Sequence, residues 1–227
     1  MTDNFASMMA VLQYGDSFFP SGSVAFSWGL EDLAERGRLA NAGEVAAFVI
    51  GQLRSRWSGF DRPAVAAAHR NASVCAAVAD IDRHVEIRTV AAELRSGSRR
   101  LGNAMLLVFT QLGQADARRY RDLVRHDEAF GHLSVMQGFL LAHSGLNEVE
   151  ALAISAHTFC TGLLGAAIRL GCLTHIEAQH ILLEARRAAG LINSEPMPAL
   201  EEIASSSFES EIAVMNHASR DLRLFAN

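Results

Sequence analysis

The sequence contains no lysine: all 20 of its basic residues are arginine. A Walker A P-loop, a pyridoxal Schiff base and a kinase phosphate anchor each need that amine, so all three classes are excluded. Cysteine is scarce. Cys75, Cys160 and Cys172 are an odd number, far apart and set among Ala-rich apolar residues, which reads as small reduced core residues of a cytoplasmic protein. The start, Met1-Thr2-Asp3-Asn4, lacks a positive region followed by an apolar core, so no secretory signal is expected. A net charge of −5 gives no reason to expect nucleic acid as a partner. Runs of alternating β-branched residues are absent, which argues against strands.

What the chain does have is apolar surface. Hydrophobic residues make up 50% of its 227 positions and charged residues 20%, enough for one packed domain and too apolar for a disordered chain. The stretch Ala151 to Ile168 carries no Asp, Glu, Lys or Arg and approaches the length of a membrane span. It is interrupted by Ser155, His157, Thr158, Cys160 and Thr161 and is rich in Ala and Gly. A buried central helix of a bundle explains it better.

Helix punctuation is legible. Asn147 with Glu150, and Thr174 with Glu177, have capping-box spacing, with Gly171 and Gly190 as the matching stops. Pro63 and Pro198 suit a first helical turn. Leu94, Leu101, Met105, Val108 and Leu112 recur at helical spacing. The expectation is an all-α, single-domain bundle of about ten helices. Their spans are about 5–14, 24–36, 43–57, 63–71, 73–80, 82–112, 116–126, 128–144, 148–170, 174–189 and 198–218, with ends uncertain by about 2–4 residues. Gly97, Gly102, Gly138, Gly162 and Gly165 fall inside these helices, each at a cost of roughly 1 kcal/mol against Ala. Close approach of a neighbouring backbone is the expected compensation.

Catalytic spacings do not emerge. No two histidines stand at i, i+3 or i, i+4, and there is no CxxC, so no preformed metal cage is expected. GxSxG, GxGxxG and HExxH are all missing. Ser21-Gly22-Ser23 reads as a tight turn after Pro20. The arginines Arg95, Arg99, Arg100, Arg118, Arg119, Arg121 and Arg125 are interleaved with Glu93, Asp116, Asp122, Asp127 and Glu128, as on a solvated helix face or a protein contact. An unrelated helical enzyme would need a pocket with perturbed titratable groups, and a nucleic-acid module would need steep salt dependence.

Two segments stand apart. Gly15 to Glu31, GDSFFPSGSVAFSWGLE, mixes turn-forming residues with Phe18, Phe19, Phe26 and Trp28. Such a loop either presents aromatic anchors to a partner or folds them back into the core. The C-terminal end combines Met215, Leu222, Leu224 and Phe225 with Arg220 and Arg223, more apolar than a free tail.

The first segment resembles the N-terminal signature of the UreF family of urease accessory proteins, DSxLPxGGFSYSxGLE. Asp16, Ser17, Pro20, Gly22, Ser27, Gly29, Leu30 and Glu31 stand at matching positions. Glu93, Arg95, Ser98 and Gly102 are similar to the family's E-x-R-x-x-S-x-x-x-G pattern. Ala167 to Gly171, with Arg169 and then Gln179 beyond, resembles its AxRLG segment. His217, Arg223, Leu224 and Phe225 fall at its H-x-x-x-x-x-R-L-F spacing. Ser23, Val24, Phe26 and Ala218 depart from the pattern, as positions would in a divergent subgroup serving another metalloprotein.

The resemblance implies one all-helical domain over residues 1–227 with a partner-docking tail at about 217–227. It implies a non-catalytic, cytoplasmic scaffold, commonly a homodimer. The scaffold bridges UreD (UreH) and the GTPase UreG while nickel is loaded into the urease apoprotein. No cofactor is held permanently: nickel transits the complex and GTP binds UreG. Neither nucleic acid nor membrane is an expected partner. The resemblance assigns the tail residues His217, Arg223, Leu224 and Phe225 to the UreD contact, and the Asp16–Glu31 signature to the core edge and the UreG-facing surface.

Overall fold

Where the pattern repeats every three to four residues the chain is helical, and the described residues contain no strand. The computed structural model describes residues 2–20 and 29–204. In chain order the helices are Thr2–Gly15 (α1), Leu30–Glu35 (α2), Ala42–Gln52 (α3), Arg62–Arg70 (α4), Cys75–Arg88 (α5), Ala92–Gln111 (α6), Ala115–Arg125 (α7), Leu133–His143 (α8), Glu148–Arg169 (α9) and His175–Ser194 (α10). A π-helix, Leu53–Asp61, joins α3 to α4, and a 3₁₀ turn covers Leu200–Glu202. The whole forms one all-α domain.

Both capping boxes form. Asn147 accepts from the Glu150 amide while Glu150 accepts from the Asn147 amide, and Thr174 and Glu177 do the same. Gly171, at φ 75°, closes α9 in the left-handed conformation that a side chain would strain. α9 is a described helix long and apolar enough to cross a membrane, but 67% of its apolar window is buried among its neighbours. It is the core helix expected from residues 151–168.

Several boundaries differ from the sequence reading, each for a physical reason. The span 82–112 is two helices, broken at Thr89–Ala91. There Arg95 Nη1 caps the freed carbonyls of Thr89 and Val90 at 2.6 and 2.7 Å, and β-branched Thr89 and Val90 suit the extended turn. The span 128–144 becomes helical only at Leu133, because Phe130, Gly131 and His132 give their amides to Asp82. The gap expected before Pro63 is closed. The chain stays helical from Ala42 to Arg70, with its register loosened to i→i+5 where Pro63 supplies no amide. Gly190 does not stop α10, which runs to Ser194 because Arg62 caps its end through the carbonyls of Ile192, Glu195 and Pro196. Of the expected helix 24–36, the described residues are helical over Leu30–Glu35, and of 198–218 only residues 198–204 are described, with the 3₁₀ turn Leu200–Glu202 among them.

Two of the interior glycines are contact points. A Cβ on Gly138 would lie 2.2 Å from the Val65 carbonyl oxygen, so α8 and α4 pack backbone to backbone. Gly102 sits against the Gly131 carbonyl in the same way. Among the described residues Gly165 meets nothing within 4 Å, so close approach between them does not account for it.

The interior divides into two main apolar clusters. One gathers Phe60 from the end of the π-helix, Val65, Leu106, Phe109, Tyr120, Met136 and Phe139 from α4 to α8, and Ala151 and Ile154 from the start of α9. The other gathers Leu30, Val49, Leu53 and Trp57 with Phe159, Leu163 and Ile181, from α2, α3, the rest of α9 and α10.

Candidate functional site: a polar hub and two apolar faces

The central motif forms a buried polar hub. Ser98 and Gly102, one turn apart on α6, both face the extended segment before α8. Ser98 Oγ accepts from the Leu133 amide at 3.2 Å and lies 3.1 Å from His132 Nδ1. On the far side of the ring, His132 Nε2 is 2.8 Å from Glu86 Oε2. Burial pushes the His132 imidazole below its ordinary value, against the raising influence of Asp82 and Glu86. It is therefore neutral at pH 7. The geometry fixes the tautomer: Nε2–H donates to the carboxylate, and Nδ1 accepts from the Ser98 hydroxyl.

Glu86 is the charge centre of this hub. Burial raises its carboxyl, but hydrogen bonds and charge from Arg99 and His132 outweigh that and hold it below the usual range. Arg95 Nε lies 3.5 Å from Glu86, and Arg99 Nε donates to it at 2.9 Å while its guanidinium covers the Phe130 ring. Motif residue Glu93 is half-buried on the first turn of α6 and joins none of these bonds. The residues that sequence reasoning missed are Asp82, Glu86, Tyr120 and His132. They lie on three other elements, and no local spacing marks them.

His132 gives the hub a pH dependence. A histidine whose folded pKa is depressed takes up its proton more readily when unfolded, so stability falls as pH drops through the unfolded value near 6.5. The lowered Glu86 adds a loss in the same direction below about pH 4.5. The urea midpoint should fall between pH 7.5 and 5.5, and the fall should shrink in His132→Asn. An unchanged slope in that variant would contradict the assignment.

The N-terminal signature splits between surface and core. Asp16 Oδ1 accepts from the Phe18 amide at 2.7 Å, turning the chain at the end of α1. Phe19 then enters the core between Tyr14 and Phe109, with ring centroids 5.3 and 5.6 Å away. Its neighbour Phe18 is 93% exposed, and Ser17 and Pro20 are exposed as well. Gly29, at φ 81°, opens α2, where Leu30 and Glu31 are buried. Gly22 and Ser27 lie outside the described residues, as do the departures Ser23, Val24 and Phe26. The same holds for His217, Arg223, Leu224, Phe225 and Ala218.

The third motif borders an apolar face. Arg169 ends α9 and is exposed, with its pKa lowered by burial of part of the side chain. Gln179 lies ten residues further on and lines an open groove of about 490 Å³ between α9 and α10. The groove floor is small or apolar (Ala153, Ala156, Cys160, Ala189, Gly190), with Trp57 beneath. Leu183 stands at its edge, 43% exposed. Ile176 and Leu191 are exposed on the same helix. Burial pushes the Cys160 thiol up to about 12, which makes it a packing residue rather than a nucleophile. His157 on the groove wall is held low by burial, with Asp16 acting in the opposite sense. A second face lies on α1, where Phe5, Met8, Met9 and Leu12 are exposed at i, i+3, i+4 and i+7. No three His, Cys, Asp or Glu side chains among the described residues converge as metal ligands.

These features define an all-helical protein with exposed apolar faces on α1 and along α9–α10, the kind of surface that other proteins cover. Comparison with known proteins makes the class specific. The UreF family model matches residues 39–186. A urease accessory protein UreF of Trichodesmium erythraeum is 32% identical over the full length of both chains. The UreF of Yersinia enterocolitica is 27% identical over 99% of this chain and all of its own. That of Yersinia pseudotuberculosis serotype IB is 30% identical over 80% of each. The chain belongs to the UreF family of urease accessory proteins.

Proposed function

We propose that this chain is a non-catalytic, cytoplasmic scaffold. In this reading it bridges UreD (UreH) and the GTPase UreG during GTP-dependent insertion of nickel into the urease apoprotein. The observation that carries the reading is end-to-end similarity to proteins named urease accessory protein UreF. The absence of lysine fits a chain that leaves the nucleotide chemistry to UreG. Nickel is cargo here and GTP belongs to UreG, so the chain itself holds neither as a resident cofactor. His217, Arg223, Leu224 and Phe225 are assigned to UreD, and the Asp16–Glu31 signature to the UreG side.

The α9–α10 face supports self-association as a homodimer. It carries both halves of a self-complementary contact: a groove floored by Ala153, Ala156, Ala189 and Gly190, and a ridge of exposed Leu183 and Leu191. A two-fold axis seats the ridge of each copy in the groove of the other.

Co-expression with UreD and UreG tests these assignments. The wild type is expected to co-purify with both partners, with two copies of the chain in the complex. Arg223→Ala with Phe225→Ala should keep full helicity by circular dichroism yet lose UreD. Leu183→Arg should leave a folded monomer. Normal UreD recovery by the double variant would refute the tail assignment, and a dimeric Leu183→Arg would refute the face.

A further inference from the structure

We propose that the boundary between the two apolar cores is a hinge, on which the two halves of the molecule articulate while each core stays intact. Among the described residues the buried apolar side chains of the two halves pack as separate clusters. Two helices run from one cluster into the other. On the first, Leu53 and Trp57 pack in the α9–α10 core, and Phe60 and Ala64 pack in the α4–α8 core. The crossing falls inside the π-helix Leu53–Asp61, a register that marks a strained or mobile point in a helix. On α9, Ile154 belongs to one core and Ala156 to the other, with Ser155 between them.

Polar bonds fill the boundary that apolar packing leaves. Trp57 Nε1 donates to Ser155 Oγ at 3.2 Å, tying the two crossing helices together. Gln137 Nε2 on α8 donates to Thr158 Oγ1 on α9 at 3.1 Å. Arg62 on α4 reaches the carbonyls at the end of α10, including Pro196 O at 3.0 Å. Arg56 and Asp61 close the π-turn with a buried two-pronged ion pair at 3.0 and 3.2 Å. A cavity of about 40 Å³ lies at the boundary, its wall mostly apolar (Trp57, Leu101, Leu133, Phe159) with Asp61, Gln137, Ser155 and Thr158 also lining it, roomy enough for a water that those polar groups could hold. Directional bonds that water can replace give way before close-packed apolar cores do.

The N-terminal signature spans the same boundary. Phe19 anchors its start in the α4–α8 core, and Leu30 anchors its end in the α9–α10 core. If the signature contacts a partner, which rests on the proposed function, that contact biases the hinge, and the hinge in turn reorients the α9–α10 face.

Hydrogen exchange on the full chain, without partners, tests the hinge independently of that function. Amides of residues 57–62 and 155–159 should exchange together, at least about tenfold faster than those around Leu140 and Leu163. Exchange of all four regions at one rate, through global unfolding alone, overturns the proposal. Gln137→Leu with Thr158→Val replaces the central bond by apolar contact and should slow the boundary amides selectively. Ser155→Ala removes the acceptor of the Trp57 bond with almost no change of side-chain volume. It should speed the boundary about two- to tenfold with both cores unchanged. A Ser155→Ala effect of equal size in cores and boundary would mean ordinary loss of stability, and the hinge would be wrong.

Discussion

Asp82→Ala should cost about 3–5 kcal/mol of stability, the range for a buried charge network that loses its central partner. The carboxylate is fully buried. Its Oδ2 accepts from the Phe130 amide at 2.8 Å, the Gly131 amide at 2.7 Å and the Tyr120 hydroxyl at 3.0 Å, and its Oδ1 accepts from the His132 amide at 2.9 Å. Three successive amides aimed at one point form an anion-binding concavity, here filled by the chain's own side chain. Alanine leaves those donors without an acceptor, each an unsatisfied buried group costing about 1–3 kcal/mol. Burial, followed by the Asp82 charge, pushes the Tyr120 phenol upward, so the hydroxyl stays a donor and has nowhere else to give its proton. Asp82→Asn keeps the shape but turns an NH₂ toward amides that need an acceptor, so it should recover only part of the loss. Urea denaturation followed by circular dichroism measures both. A cost below about 1 kcal/mol for Asp82→Ala would show that the segment is held by something else.

The hub shows where reading the sequence succeeds and where it stops. The two capping boxes are local: the side chain and the amide it serves are three residues apart, so spacing alone reveals them. Asp82 serves groups 38 to 50 residues away, and nothing near Asp82 in the chain announces them. The same limit explains the merged helix over 82–112. Neither Gly nor Pro marks a stop near Thr89–Ala91, while the break depends on Arg95 reaching back to carbonyls five and six residues earlier. Resemblance marked Ser98 and Gly102 as special, and only the fold says that both act on the segment before α8. Phe5, Met8, Met9 and Leu12 on α1 share a spacing that serves a buried face as well as an exposed one, so their exposure is visible only in the fold.

Gly102→Ala puts the structural reading of that motif to its sharpest test. A methyl group at this position would lie 2.0 Å from the Gly131 carbonyl oxygen and 2.9 Å from both His132 C and Leu133 N. All three are backbone atoms, so no side chain can rotate away. Nor can α6 back off freely, since Ser98 one turn earlier is bonded to the same segment. Helix propensity favours Ala over Gly by about 1 kcal/mol. Overpacking against fixed backbone costs about 1–3 kcal/mol and more where nothing yields. The net result should be a loss of about 2 kcal/mol or more. Gly51→Ala is the matched control: an exposed helical glycine with nothing within 4 Å of the new methyl, expected to gain stability by up to about 1 kcal/mol. Both Gly102→Ala and Asp82→Ala detach residues 130–133 from the α5–α6 pair, so the double variant should lose less than the sum of the two. Full additivity would mean that glycine and carboxylate hold different things, and the motif would not be a single device for placing α8.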